Sequence, residues 1–191
     1  MKPRSFYIIT GGPGVGKTSL IEALHRQGFA VVPEDARRII KEQMELGEDG
    51  LPWKNKAYYA QLMYEAAINS YKGVSADDNS SVHFFDRGLL DTICYMRMQH
   101  IAIPDEISAQ VAKLQYANSV FILPPWQEIY QTDAERKQDW EEAVFTFQKM
   151  KETYSLYGYT IVELPKTSVA NRVAFILNYM ATTRAGDHVK S

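Results

Sequence analysis

The sequence predicts an α/β protein in which a five-stranded, mostly parallel sheet carries helices on both faces. Two observations carry this. Five short apolar runs alternate along the chain with stretches of helical periodicity, the pattern of strand–helix–strand units. The runs are also nearly continuous in apolar residues, as strands covered on both faces are. At roughly 150 residues per domain, the 191 residues predict a single domain over 1–182 and a polar tail over 183–191.

The first strand is Phe6–Ile9, followed by glycine-rich chain from Gly11 to Gly16. Leu20, Ile21 and Leu24 then recur at helical spacing, and Gly28 follows as the residue able to take the left-handed turn that ends a helix. Phe29–Val32 is the second strand. Tyr59, Leu62, Met63 and Ala66 form a second helical stripe, with polar, glycine-containing loops at Gly47–Pro52 and Lys72–Ser80. The third strand is Val82–Phe85. A helix after it places Gly88, Asp91 and Tyr95 on one face. Val120–Leu123 is the fourth strand. Trp140, Ala143, Val144, Phe147 and Tyr154 mark a longer helix that stops near Gly158. Thr160–Leu164 is the fifth strand, and Val169, Val173, Ile176, Leu177 and Met180 define the last helix.

Composition narrows the function. With 46% hydrophobic and 23% charged residues, the chain is neither intrinsically disordered nor collagen-like. A net charge of −2 gives no basic field for nucleic acid. The single cysteine, Cys94, forms no internal disulfide and fits a reducing compartment. The first apolar run is shorter than the roughly 7–15 residues of a signal sequence, and no stretch approaches the ~20 of a membrane span. The expectation is a cytoplasmic protein with no membrane partner.

The strongest motif is Gly11-Gly12-Pro13-Gly14-Val15-Gly16-Lys17-Thr18, which fits G-x-x-x-x-G-K-[ST]. At average usage such a match arises in roughly 4 × 10⁻⁵ of windows, below about 1% over a chain of this length. It also follows a strand and opens a helix, as phosphate binding requires. Glycines let successive backbone N–H groups curl toward phosphate oxygens, and the helix presents its positive dipole end to the same anion. Gly12, Pro13, Gly14, Val15, Gly16, Lys17, Thr18 and Ser19 are therefore the nucleotide-binding residues. Lys17 reaches the β- and γ-phosphates, and Thr18 offers a hydroxyl to Mg²⁺. The competing reading is a glycine-rich turn with a solvated lysine.

Asp86-Arg87-Gly88, at the end of the third strand, is the second informative site. Asp86 can hold Mg²⁺ or take a proton from an acceptor hydroxyl, and Arg87 can clamp a phosphate or substrate oxygen. The competing reading makes Asp86 a helix N-cap and Arg87 a surface residue. Asn55-Lys56-Ala57-Tyr58 departs from the N-K-x-D of guanine-specific switches. Arg87 stands where AAA-type motors carry a water-polarising Glu. His83 lies in an apolar strand and reads as core. There is no His/Cys cluster with metal spacing.

Val31-Val32-Pro33-Glu34-Asp35-Ala36-Arg37, Phe85-Asp86-Arg87-Gly88-Leu89-Leu90-Asp91, and Val162-Glu163-Leu164-Pro165 with Ser168, Val169 and Arg172 add to the first motif. Together they resemble the small bacterial AAA-like P-loop ATPase/kinase family, related to ribosylnicotinamide kinase and more distantly to thymidylate kinase. The resemblance implies a P-loop, nucleotide-kinase-like fold with the first strand central, flanked by the third and fourth. It implies ATP (with GTP possible) and Mg²⁺ in the P-loop. It places Glu34, Arg37, Asp86, Arg87 and Asp91 on the acceptor side, with a helical insert over about 34–72. It also implies a short lid over about 127–139, where Arg136 would meet the transferring phosphate. Glu34 and Arg37, three residues apart, equally suit a plain helix-surface pair.

Two functions fit these residues. One is ATP- and Mg²⁺-dependent phosphoryl transfer to a nucleoside, nucleotide or related acceptor. The other is a regulatory module that binds or slowly hydrolyses ATP or GTP and signals to a protein partner. Trp53, Tyr58, Tyr59, Trp126 and Tyr130 suit either an acceptor pocket or a docking face.

Overall fold

A computed structural model describes residues 6–77, 81–111, 113–114, 116–129 and 140–188. The elements run β1 (Phe6–Gly11), α1 (Lys17–Arg26), β2 (Ala30–Val32), α2 (Ala36–Leu46), α3 (Lys56–Asp77), β3 (His83–Asp86), α4 (Leu89–Met98), α5 (Asp105–Val111), β4 (Ser119–Leu123), α6 (Trp140–Leu156), β5 (Thr160–Glu163) and α7 (Val169–His188). The five strands form one sheet in the order β2-β3-β1-β4-β5, and every pairing is parallel. β1 is central between β3 and β4, as the resemblance implies.

Side chains alternate across a strand, and β1 divides the core accordingly. Phe6 and Ile8 join Phe85 and Val120 on one face, beneath Ile68 and Tyr71 of α3 and Leu89, Leu90 and Ile93 of α4. Tyr7 and Ile9 join Phe84 and Phe121 on the other, beneath Leu20 and Leu24 of α1 and Val173 and Ile176 of α7. All six residues of β1 are buried, which is why the strand reads as a continuous apolar run.

Three features depart from the sequence reading. Of the segment Lys72–Ser80, read as a loop, the residues as far as Asp77 are helical, because α3 continues into it; residues 78–80 lie outside the described ones. Tyr71 anchors that last stretch edge-on against Phe6 and Tyr116, and Val74 packs on the same cluster; this tertiary packing outweighs Gly73. The polar segment from 183 continues α7 to His188. The short helix α5, held by buried Ile107 and Val111, lies between the third and fourth strands and carries no stripe long enough to read from sequence.

Gly88, the residue before α4, sits against the core: an added Cβ would lie 2.6 Å from Ile8 Cδ1 and 3.4 Å from the Tyr154 hydroxyl. Gly73 in α3 would meet nothing within 4 Å. The two glycines therefore respond oppositely to alanine. Gly88→Ala overpacks the core and costs about 1–3 kcal/mol. Gly73→Ala gains up to about 1 kcal/mol of helix propensity. Urea unfolding checks both signs; equal stability of the two variants would contradict this packing.

Candidate active site

The site lies at the carboxyl ends of the central strands, where open parallel sheets place their ligands. The loop after β1 turns through two left-handed glycines, Gly14 (φ 74°) and Gly16 (φ 81°). Gly16 is the N-cap of α1 and makes no side-chain cap, so the first N–H groups of the helix are left to other partners. This loop and the start of α1 line a cavity of about 390 Å³ that is walled by all of Gly12–Ser19 together with Glu34, Arg37, Arg87 and Ile129. A second cavity of about 340 Å³ adjoins it, between α3, α4 and α6, and shares Gly12, Pro13, Glu34 and Arg87 with the first.

An alternating series of charges spans the junction. Lys17, 8% exposed, ion-pairs with Asp86 and lies 3.3 Å from Glu34. The other Glu34 oxygen accepts from Arg87 Nε at 2.8 Å, and Arg87 Nη1 reaches Asp91 at 3.1 Å. Burial raises the pKa of Glu34, but Arg87 and Lys17 outweigh it, and the carboxyl lies below its usual value. Burial also works against the charge on Arg87, yet Glu34 and Asp91 more than offset it and raise the guanidinium above its usual range. Arg87 is itself left-handed, with φ 75°, and its N–H donates to the Ile9 carbonyl at 3.0 Å.

Asp91 is the most heavily bonded carboxylate of the series. It accepts from the Gly88 N–H at 2.9 Å, from the Tyr154 hydroxyl at 2.6 Å and from the Thr10 hydroxyl. The first of these is half of a capping box, the third helical residue reaching back to the N-cap. Gly88, not Asp86, is the cap of α4; Asp86 closes β3, so the N-cap reading of Asp86 is overturned. Glu34 precedes α2, turns to Lys17 and Arg87, and forms no helix-surface pair with Arg37.

The sequence-predicted residues therefore converge, with two distinctions. Glu34, Asp86, Arg87 and Asp91 all line the second cavity, whereas Arg37 lines only the first. Arg136 and Tyr130, with most of the predicted lid, lie outside the described residues. Of the aromatic residues, Trp53 and Tyr58 are exposed, Tyr59 is buried and lines the second cavity, and Trp126 stacks on Arg172 at 5.0 Å. Sequence reading did not find Thr10, Tyr154 or the role of Arg172. The fully buried Arg172 donates to the carbonyls of Val15 at 3.0 Å and Pro165 at 3.1 Å, fastening the P-loop to the chain after β5. Burial pushes its pKa down. Tyr154 looked like one more apolar position of α6, and only the fold reveals its hydroxyl partner.

The donor set fits a magnesium nucleotide. Thr18 lines the phosphate cavity and Asp86 stands beside Lys17; both offer hard oxygen donors. Among the described residues no three or more His, Cys, Asp or Glu side chains cluster as a metal site. Mg²⁺ with substrate phosphates needs only one or two protein oxygens. No helix among the described residues is long and apolar enough to cross a membrane.

Comparison with known proteins identifies the fold. Residues 6–172 match the family model described as AAA domain, and the chain belongs to that family. No curated protein sequence matches it. Among solved structures, deoxyadenosine kinase from M. mycoides with bound dATP superposes with a TM-score of 0.57 at 14% identity, covering 92% of this chain and 98% of that one. Thymidylate kinase from Candida albicans gives 0.61 at 12% identity, covering 94% and 92%. NadR protein in complex with NR gives 0.61 at 18% identity, over 87% of this chain and 47% of that one. The fold is that of the P-loop nucleotide kinases, and the family resemblance read from the sequence is borne out.

The depressed pKa of Glu34 makes its ion pairs a source of acid-sensitive stability. Their contribution is present above the ordinary glutamate value of 4.5 and is lost as pH falls through the lowered one. Glu34→Gln therefore costs roughly 1.5–3 kcal/mol at neutral pH, the range for hydrogen bonds to charged groups. The gap to the parent narrows as the parent's own Glu34 is protonated below pH 4.5. Urea unfolding across that range checks it; a gap independent of pH would refute the ionic account.

Proposed function

We propose that this chain transfers the γ-phosphoryl group of ATP to a small-molecule acceptor. One observation carries the reading: a P-loop phosphate cavity and an acceptor-sized cavity meet at Glu34 and Arg87, beside the Lys17–Asp86 pair. A nucleotide-only switch does not need the second cavity; a phosphotransferase does. The P-loop N–H groups and Lys17 hold the donor phosphates, and Arg37 faces the same cavity. Thr18 and Asp86 are the residues that would hold Mg²⁺, which when bound would neutralise phosphate charge. Asp86 and Glu34 are carboxylates able to orient the acceptor hydroxyl and receive its proton. Arg87, fixed between Glu34 and Asp91, keeps one positive charge at the junction. Catalysis is then positioning and charge compensation rather than covalent chemistry.

Product analysis against nucleosides, nucleotides and related hydroxyl compounds tests the reading. Phosphorylated acceptor formed in step with ADP supports it. Tight nucleotide binding that no acceptor converts to turnover would favour the regulatory module instead.

Lys17→Ala should lower kcat at least tenfold, about 1.4 kcal/mol of barrier. Because Lys17 is buried against Asp86 and Glu34, its loss also strands Asp86 and leaves Glu34 with Arg87 alone. The variant therefore loses stability as well, and rates must be compared where circular dichroism shows it folded. Asp86→Asn should depress kcat while metal-free nucleotide affinity stays near the parent's. A folded, fully active Asp86→Asn enzyme would remove Asp86 from the chemistry.

A further inference from the structure

We infer that the acceptor is an unphosphorylated nucleoside rather than a nucleoside monophosphate, and that Tyr95 and Thr146 bind the polar edge of its base. The inference rests on the kinase reading of the same site and specifies its substrate.

The charge inventory of the acceptor cavity carries the first half. Among the described residues, Glu34, Asp35, Asp86 and Asp91 are carboxylates on its lining, and Arg87 is the one cation. That cation is already bonded to two of these, Glu34 and Asp91. Lys17 is bonded to Asp86 and Glu34, Arg38 to Asp35, and Arg37 lines the donor cavity instead. A phosphomonoester brings a charge of about −1.5 to −2 at neutral pH. It would have to compete for Arg87 with Glu34 and Asp91, which already engage it. A neutral or cationic nucleoside meets no such opposition, and its hydroxyl finds carboxylate acceptors at the cavity's junction with the P-loop.

The uncharged part of the lining carries the second half. The walls there are aromatic and thioether side chains, including Tyr59, Met98, Tyr116 and Met150, a lining suited to a flat ring. Two hydroxyls interrupt it. Tyr95 Oη and Thr146 Oγ1 are buried and have no hydrogen-bond partner among the described residues, although Thr146 is only 7% exposed. Buried polar atoms are almost always satisfied, and both of these residues line the cavity. Tyr95 follows Asp91 by one helical turn of α4, about 6 Å along the axis. The Asp91 carboxylate and the Tyr95 hydroxyl therefore lie apart along α4, as the sugar hydroxyl and base of a nucleoside do. Each hydroxyl can donate or accept.

Calorimetric titration of the full chain, loaded with Mg²⁺ and a non-hydrolysable ATP analogue, tests this. The probes are the common ribonucleosides and 2′-deoxynucleosides and their 5′-monophosphates, each also assayed with ATP for product. At least one nucleoside should bind tenfold or more tightly than its own monophosphate. Tyr95→Phe and Thr146→Val should each weaken that nucleoside by roughly threefold to tenfold, the worth of one hydrogen bond, and leave affinity for the ATP analogue unchanged. Both variants keep the side-chain shape and remove a hydroxyl with no protein partner, so folding is retained. A monophosphate that binds as tightly or more so, and is phosphorylated, overturns the inference and leaves the kinase reading standing. A nucleoside that binds but yields no product overturns the kinase reading and supports the nucleoside site. Unchanged nucleoside affinity in both variants overturns the assignment of Tyr95 and Thr146. Binding of none of the probes overturns the inference as a whole.

Discussion

The site depends on one series of alternating charges, Asp86–Lys17–Glu34–Arg87–Asp91, laid across the end of the sheet. None of these side chains is fully solvated, and an isolated charge in such a position is expensive to desolvate. Each is tolerated because its neighbours carry the opposite sign. The residues come from the P-loop helix α1, the chain before α2, the end of β3 and the start of α4, so the series also ties four segments together. Breaking it at one point leaves a charge less compensated, at a cost that grows with the burial of the stranded group. The same groups that hold the site together are those proposed to act on donor and acceptor.

Both ends of the series are fixed from outside. Asp91 is fastened by Thr10 of β1, by Tyr154 of α6 and by the Gly88 N–H. The P-loop is held through the Val15 carbonyl by Arg172, under the ring of Trp126. Between them Arg87 occupies a left-handed backbone conformation that disfavours a side chain, a strain of roughly 1–3 kcal/mol. Its ion pairs and its N–H bond to Ile9 hold it there. These costs are met in folding, so Arg87 and Asp91 are held in place before a ligand arrives, the condition for electrostatic catalysis.

The parts of this arrangement that read from sequence are those encoded locally. The strands were legible because burial on both faces leaves near-continuous apolar runs, and the phosphate cradle because its eight residues are contiguous. The face of α4 bearing Gly88, Asp91 and Tyr95 followed from helical periodicity. What could not be read depends on contacts across long sequence separation. Tyr154 and Thr146 sit on an α6 whose pattern speaks only of apolar packing, and their hydroxyls acquire meaning from partners, or the lack of them, on other elements. The loop read at Lys72–Ser80 failed for the same reason: its residues favour a turn locally, but Tyr71 and Val74 draw the helix onward into the core.

The meeting of Lys17 and Asp86 is finally a matter of strand register. β1 and β3 are parallel, with Ile9 paired to Asp86 and Ile8 to Phe85. The P-loop leaves β1 just beyond that pairing and returns Lys17 in the first turn of α1, on the face where Tyr7, Ile9 and Phe84 pack. Strand alternation puts Asp86 on the same side as Phe84, toward α1, and Phe85 on the opposite side beneath α3 and α4. A slip of β3 by one residue would exchange those faces, burying the carboxylate in the Phe6–Phe85 cluster and offering a phenyl ring to the lysine. Phe84 and Phe85 fill the two faces alike, so the polar residues on either side of them, His83 and Asp86, are what distinguish the two registers. The register of the sheet thereby sets the electrostatics of the site.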